Sequence, residues 1–210
     1  MISTCETLEN RRLLAGMTLL THGFNGNVNG WVAEAAEGIE ERLGEDHASI
    51  YTMSVTASGG NLAVSRFRPD SGQENYQQTQ GGEVVVKLDW SSVSGGAFST
   101  GQVAQAVSTY LLSAGSGTPA LAELQMHLIG HSRGASLVTA LSQQLGAAGV
   151  WVDHVTSLDP HPVDGVNDLF GANFGDAKMT TYDNVTFADN YWRTDGNINN
   201  PDFDGEFVRG

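Results

Sequence analysis

The sequence contains 210 residues, including 26 glycines, with only 16% charged residues and a formal net charge of −14. This length suffices for one domain with a sizeable core, and the composition favours a loop-rich globular fold over a disordered chain or a coiled coil. The negative charge disfavours nucleic acids and anionic membrane surfaces as partners. No apolar run approaches the length of a membrane-spanning helix, and the single cysteine, Cys5, excludes an internal disulfide.

Apolar runs and helical patterns alternate along the chain. Residues 17–21 predict a buried strand, and apolar residues at every fourth position from Trp31 to Leu43 predict a helix that ends at Gly44. Further strands are predicted at residues 50–55, 84–88, 124–129, 152–158 and 184–188. A second helix is predicted with Ser99 or Thr100 as its N-cap. A third helix follows the strand at 124–129, with one apolar face formed by Leu137, Val138, Leu141 and Leu145.

This alternation predicts an α/β fold, with a mostly parallel sheet and helices on both of its faces. The predicted organisation is an N-terminal tail over residues 1–16 and a single domain over residues 17–210. Residues 58–82 interrupt the alternation and predict an excursion, with a hairpin near Leu62 to Phe67 as one interpretation. This excursion is interpreted either as a lid or as an inert surface loop. Residues 190–210 are predicted to form an acidic loop.

The stretch LQMHLIGHSRG, residues 124–134, places a serine between a predicted strand and a predicted helix. The G-x-S-x-G pattern of residues 130–134 fits a nucleophile elbow, a sharp turn that lifts the central serine clear of the sheet. Gly130 and Gly134 suit this turn because the strand and the helix come too close there for side chains. We therefore predict that Ser132 is a nucleophile. An ordinary glycine-flanked turn is the alternative.

Several candidate residues directly follow predicted strands, namely His22-Gly23, Trp90, Ser132 and Asp159. In parallel sheets, functional residues gather at the carboxyl ends of the strands. These residues are therefore expected to meet at one edge of the sheet.

The order and spacing of these motifs resemble the α/β-hydrolase superfamily, in particular its lipase and esterase branch. The resemblance covers about residues 17–189 and includes HGF at 22–24, DW at 89–90, GHSRG at 130–134 and LDP at 158–160. It implies a serine hydrolase that cleaves small-molecule or lipid carboxylic esters and requires no cofactor. The alternatives are a non-catalytic or weakly active binding module of the same fold, and an amidase or peptidase.

The resemblance also implies an oxyanion hole formed by the backbone N–H groups of Phe24 and Arg133, since an attacked ester carbonyl needs such donors. Gly23 would let the backbone approach the substrate closely. His22 is expected to orient this loop by hydrogen bonding. Its position in the chain, before the nucleophile, does not fit the base of this superfamily.

In the superfamily the nucleophile is followed by the acid and then by the histidine, which assigns the acid to Asp159. A strand-ending Asp-Pro turn is the alternative reading of Asp159, and Asp164 and Asp189 are fallback acids. Only His161 follows Asp159, and we do not expect it to reach both Asp159 and Ser132. The catalytic base is therefore unassigned. The sequence is expected to end before the catalytic histidine, to use an unusual residue, or to be weakly active.

Two further patterns lie near the ends of the chain. Asp195, Asn197, Asn199 and Glu206 match positions one, three, five and twelve of a calcium-binding loop, although Asn200 replaces the expected glycine. An acidic, Asn-rich surface loop is the alternative. Residues 5–16, CETLENRRLLAG, resemble a short motif near the N-termini of some exported bacterial proteins, with Asn10 in place of proline. This resemblance implies an exported or extracellular location, with a cytoplasmic one as the alternative.

Overall fold

The computed structural model describes residues 16–44, 47–71, 82–114, 120–165 and 172–193. The strands in these residues are β1 (Gly16–Thr21), β2 (Ala48–Ser58), β3 (Asn61–Pro69), β4 (Glu83–Asp89), β5 (Gln125–His131), β6 (Val152–Leu158) and β7 (Val185–Tyr191). The α-helices are α1 (Trp31–Leu43), α2 (Thr100–Leu111) and α3 (Arg133–Ala147).

The strands form one sheet in the order β3-β2-β4-β1-β5-β6-β7. All neighbours pair in parallel except β2 and β3, which pair antiparallel. The central strands are apolar because the sheet is covered on both faces there, and every residue of β1 is buried.

The helices lie on opposite faces of the sheet. Met17 and Leu19 of β1 belong to a large core cluster that includes most of the buried apolar residues of α2 and α3. Leu20 of β1 belongs to a second cluster with Val32 and Ala36 of α1. Since successive residues of a strand point to opposite faces, α1 covers one face and α2 and α3 cover the other. The predicted α/β class, a mostly parallel sheet with helices on both faces, is confirmed.

The connections of the sheet change direction between β1 and β5. Strand β1 leads through α1 to β2 on one side, whereas β5 leads through α3 to β6 on the other. A crevice forms at the carboxyl ends of two such strands, and ligands of open α/β sheets bind there. This crevice is bounded by the residues that follow Thr21 and His131.

The predicted excursion after Ser58 begins as a hairpin at the edge of the sheet. Gly59 and Gly60 have φ angles of 57° and 82°, values that suit the tight turn of a two-residue hairpin. Strand β3 alternates, with Leu62, Val64 and Phe67 packed against the core. Residues 72–81 lie outside the described residues.

The start of α2 and the end of α1 follow the sequence signals. Ser99 caps α2 with a capping box, because its hydroxyl accepts from the Gln102 N–H (3.3 Å) and its own N–H donates to the Gln102 side chain (2.9 Å). Helix α1 ends at Gly44 as predicted. Its apolar stripe differs, since Val32 is fully buried and Leu43 is exposed. A spacing of four residues exceeds the helical period of about 3.6, so the stripe rotates by about 40° per step.

Candidate active site

Ser132 occupies the sharp turn between β5 and α3 in a strained backbone conformation. Its φ and ψ angles are 55° and −124°, a region that residues with side chains rarely adopt. Such strain costs about 1–3 kcal/mol and persists only where the surroundings impose it. Here the Ser132 N–H donates to the Leu158 carbonyl (2.9 Å), and the Ser132 carbonyl accepts from the Ala135 N–H (3.0 Å). Strand β6 and helix α3 thus hold the turn from two sides.

The glycines that flank Ser132 are required by direct backbone contacts. A Cβ atom at Gly130 would collide with the backbone of Gly134, and one at Gly134 would collide with the carbonyl of His22. Strand β5, the first turn of α3 and the end of β1 therefore touch through their backbones.

The loop that follows β1 lies against the Ser132 side chain. A Cβ atom at Gly23 would be 2.8 Å from the Cβ of Ser132 and 3.0 Å from its Oγ. The Gly26 N–H donates to the Gly23 carbonyl (3.1 Å), which closes a turn over Phe24 and Asn25. This loop therefore forms one wall of the crevice.

Two backbone N–H groups near Ser132 have no partner in the described part of the chain. The N–H of Phe24 donates to no described residue. The N–H of Arg133 belongs to the first turn of α3, where no intrahelical acceptor exists, and it has no other described acceptor. The Ser132 hydroxyl likewise forms no side-chain hydrogen bond with described residues. Such free donors beside a hydroxyl can bind an oxygen that develops negative charge.

His22 is buried beneath the loop. Its Nδ1 lies 2.9 Å from the Gly23 carbonyl oxygen, and since a carbonyl only accepts, Nδ1 carries the hydrogen. Its Nε2 faces the Trp90 N–H at 3.4 Å and Asp89 Oδ1 at 3.6 Å. The nearby His22 ring is the largest effect on Asp89 and lowers the pKa of that carboxyl to about 2. Because both ring nitrogens are engaged away from Ser132, His22 is arranged to orient the loop.

Asp159 directly follows β6, the neighbour of the elbow strand, in a left-handed conformation with φ 45°. Its N–H donates to the Tyr191 carbonyl of β7. Its carboxylate accepts from the Arg193 N–H (3.0 Å) and lies 3.9 Å from Arg193 Nε. An open cavity of about 570 Å³ adjoins Asp159 and is also lined by Leu158 and residues 190–193.

All six histidines lie within the described residues, and none is hydrogen-bonded there to Ser132 or Asp159. His131 precedes Ser132, packs edge-on against Trp31 and has its pKa lowered by burial, an effect that the charge of Asp159 opposes. His161 is half-buried between two buried prolines. His127 and His154 stack on one face of β5 and β6 with ring centroids 4.2 Å apart. His47 precedes β2, at the opposite edge of the sheet.

The fallback acids occupy other environments. Asp189 lies on β7 and its Oδ2 is 2.8 Å from His154 Nε2. Asp164 forms an isolated bridge with Asn173.

The predicted calcium ligands Asp195, Asn197, Asn199 and Glu206 lie outside the described residues. Within the ranges that are described, no group of three or more His, Cys, Asp or Glu side chains could hold a metal ion. In those ranges no helix is both long and apolar enough to cross a membrane.

The structure contains a buried ion pair, next to Ser132 in the chain, that the sequence did not predict. The Arg133 side chain is fully buried and donates to both carboxylate oxygens of Asp176, from Nε to Oδ2 (2.6 Å) and from Nη2 to Oδ1 (2.7 Å). Arg133 was predicted only as a backbone donor, and nothing in the local sequence marks Asp176. The ring of Phe174 lies 4.9 Å from the guanidinium carbon.

Comparison with known proteins gives remote likenesses. No protein-family model matches the sequence, and no curated protein matches it significantly. The product of gene lin2722 from Listeria innocua is similar in structure, with a TM-score of 0.46 and 18% identity over 74% of this chain and 53% of that one. The "putative cell surface hydrolase from Lactobacillus plantarum WCFS1" gives a TM-score of 0.44 and 9% identity over 74% of this chain and 56% of that one. The chain thus spans about half the length of either structure, and at these TM-scores the likeness carries no conclusion about the reaction.

Proposed function

We propose that this chain is a serine hydrolase that cleaves carboxylic esters, with Ser132 as the nucleophile. The observation that carries the proposal is the strained backbone of Ser132 at a strand-to-helix turn, with the Gly23 loop against its side chain. Strain at a residue other than glycine lowers the stability of the fold. Such strain is typical of a nucleophile elbow, where the sharp turn exposes the serine Oγ. The position of the turn at the crevice between β1 and β5 supports the same reading.

In the proposed reaction Ser132 Oγ attacks the ester carbonyl while a base takes the hydroxyl proton. The carbonyl oxygen becomes an oxyanion, which the N–H groups of Phe24 and Arg133 stabilise together with the positive end of the α3 dipole. Collapse of this intermediate expels the alcohol, which takes the proton, and leaves an acyl ester on Ser132. Water then cleaves that ester, releases the carboxylic acid and restores the hydroxyl. Asp159 is proposed to orient the base, which is not assigned.

The surroundings of Ser132 favour a substrate with an apolar group. Phe24 is 45% exposed and stacks on Phe174, with ring centroids 5.9 Å apart. On the side of Asp159, Tyr191 and Trp192 are exposed and line the open cavity. Exposed aromatic rings on the Phe24 loop and beside Asp159 can bind apolar parts of an ester by removing them from water.

The test is labelling by a fluorophosphonate together with hydrolysis of p-nitrophenyl butyrate. Ser132→Ala is expected to abolish the label, read by intact mass, and to abolish protein-dependent turnover. Ser113→Ala is the matched control, because Ser113 is exposed after the end of α2 and, among the described residues, its hydroxyl donates to the Thr109 carbonyl (2.7 Å). Labelling that survives in Ser132→Ala would remove Ser132 from the mechanism.

A binding module of the same fold is the second candidate, favoured by one observation. No histidine in the described residues is hydrogen-bonded to Ser132 or Asp159, so the usual general base is not in contact with either. This candidate predicts that p-nitrophenyl butyrate raises the melting temperature of the protein but is not hydrolysed. Turnover that depends on Ser132 excludes it.

A further inference from the structure

The guanidinium of Arg133 fixes several segments around the elbow. Besides Asp176, it donates to the Ser94 carbonyl (2.7 Å) and to the Phe98 carbonyl (2.6 Å). Its central carbon lies 5.1 Å from the ring centroid of Trp90 and 4.9 Å from that of Phe174. One side chain therefore joins the loop after β4 and the segment before β7 to the first residue after the nucleophile.

The carboxylate of Asp176 also accepts several hydrogen bonds. Its Oδ1 accepts from the N–H of Thr100, the first residue of α2 (2.9 Å), and its Oδ2 accepts from the N–H of Val163 (3.0 Å). Together with the two bonds from Arg133, each carboxylate oxygen receives two donors. Both carboxylate oxygens and four of the five guanidinium N–H groups are therefore hydrogen-bonded to described residues, as a buried charge requires.

The two aromatic rings beside Arg133 each lead to the loop that carries Phe24. Phe174 stacks on the Phe24 ring. Trp90 stacks on His22, with ring centroids 5.6 Å apart, and its Nε1 donates to the His22 carbonyl (3.1 Å). The guanidinium thus supports the first part of the loop, at His22 and at Phe24, while the backbone of the same residue supplies the other free N–H group.

A buried ion pair is not in general more stabilising than an apolar pair. Apolar side chains of similar volume are often equally or more stabilising, because they avoid the desolvation of two charges. What a planar, bidentate pair supplies in addition is a fixed geometry. An oxyanion hole needs this, because its donors must lie about 3 Å from the developing charge.

We propose that Arg133 and Asp176 are positioning residues that hold the N–H groups of Phe24 and Arg133 in register with Ser132. This inference rests on the proposed function, because it assigns these N–H groups to the oxyanion. It predicts that loss of the pair lowers kcat while KM changes little.

The experiment measures p-nitrophenyl butyrate hydrolysis and urea unfolding of the full 210-residue chain. The main variant is Arg133→Met with Asp176→Leu, which removes both charges and keeps apolar volume. We expect a kcat lower by about tenfold to a hundredfold, as for donors displaced by up to about 1 Å, with KM near that of the wild type. The urea midpoint should fall, because the four backbone groups bonded to the pair lose their partners. Arg133→Lys keeps the charge but loses the planar guanidinium. Its kcat is expected to lie between those of the wild type and the double variant.

The control removes another ion pair, Lys87→Met with Asp70→Leu, whose Nζ and Oδ2 atoms lie 2.6 Å apart. This control is expected to keep the wild-type kcat. If the main variant fails to fold, the kcat of Arg133→Lys tests the inference instead. Wild-type kcat in a folded variant of Arg133 would overturn the inference, as would an equal loss of kcat in the control. If the wild-type chain shows no turnover that depends on Ser132, the proposed function fails and the inference falls with it.

Discussion

Gly23→Ala is expected to lower catalysis without unfolding the protein. The added methyl would lie 2.8 Å from the Cβ of Ser132 and 3.0 Å from its Oγ, whereas carbon atoms in contact are about 3.5–4.0 Å apart. The loop must then retreat by roughly 0.7–1 Å, and a misplacement of about 1 Å can cost about a hundredfold in rate. Gly23→Val adds two further carbons and should be more severe, because loss of one oxyanion donor typically costs about a hundredfold to a thousandfold.

The loop can move outward because Phe24 and Asn25 are exposed. The free energy of unfolding should therefore fall by no more than the roughly 1–3 kcal/mol typical of overpacking. The assay compares kcat/KM for p-nitrophenyl butyrate with urea unfolding of the same preparation. Gly38→Ala is the matched control, since no atom lies within 4 Å of its added Cβ in α1. This control should keep full activity and be more stable by about 0.5–1 kcal/mol. Wild-type turnover in Gly23→Ala would refute the assignment of this loop to the oxyanion.

Three further predictions concern other parts of the chain. Burial, with a smaller effect of His154, lowers the pKa of His127 to about 4. Between pH 6.5 and 4, His127 therefore binds a proton in the unfolded chain but not in the folded chain. The free energy of unfolding should fall as pH drops through this range. The slope should be less than about 1.4 kcal/mol per pH unit because the side chain is partly exposed, and urea titrations of His127→Gln should show a shallower one. If residues 195–206 bind calcium, excess calcium should raise the melting temperature and a chelator should lower it. Equal melting temperatures with calcium and with chelator would contradict calcium binding and favour the surface-loop interpretation. His161→Ala should barely change the rate of ester hydrolysis, and a complete loss of activity would identify His161 as the base.

The elements of the fold could be predicted because each carries its own local signal. Strands β1 and β4 are short, mainly apolar runs, and α2 begins at a capping box. The order of the strands has no such signal. Strand β4 lies between β2 and β1, although β2 directly follows α1 in the chain, and no residue pattern marks that insertion. For strand β3 the sequence predicts a hairpin only as one interpretation of residues 58–82, because the alternating pattern is confined to a few residues.

The turn at Ser132 could be predicted for a similar reason. Close backbone contacts select glycine at positions 130 and 134, and those contacts arise wherever a strand turns sharply into a helix at this spacing. The histidines show the limit of such reasoning. Chain order alone argued against His22 as the base, and the geometry gives an independent reason, because its Nδ1 is bonded to the Gly23 carbonyl and its Nε2 faces Trp90 and Asp89.

The environment of Arg133 could not be predicted, although the residue lies inside the motif. The fourth position of G-x-S-x-G accepts many residues, because the motif uses only its backbone N–H. The Arg133 side chain binds Asp176, which lies 43 residues further along the chain. The described residues between Asp159 and β7 contain no helix or strand. A carboxylate at that distance is recognisable only once the sheet has brought β6 and β7 beside β5. Sequence therefore identifies the groups that the turn itself requires, whereas the groups that hold the turn in place come from contacts between distant segments.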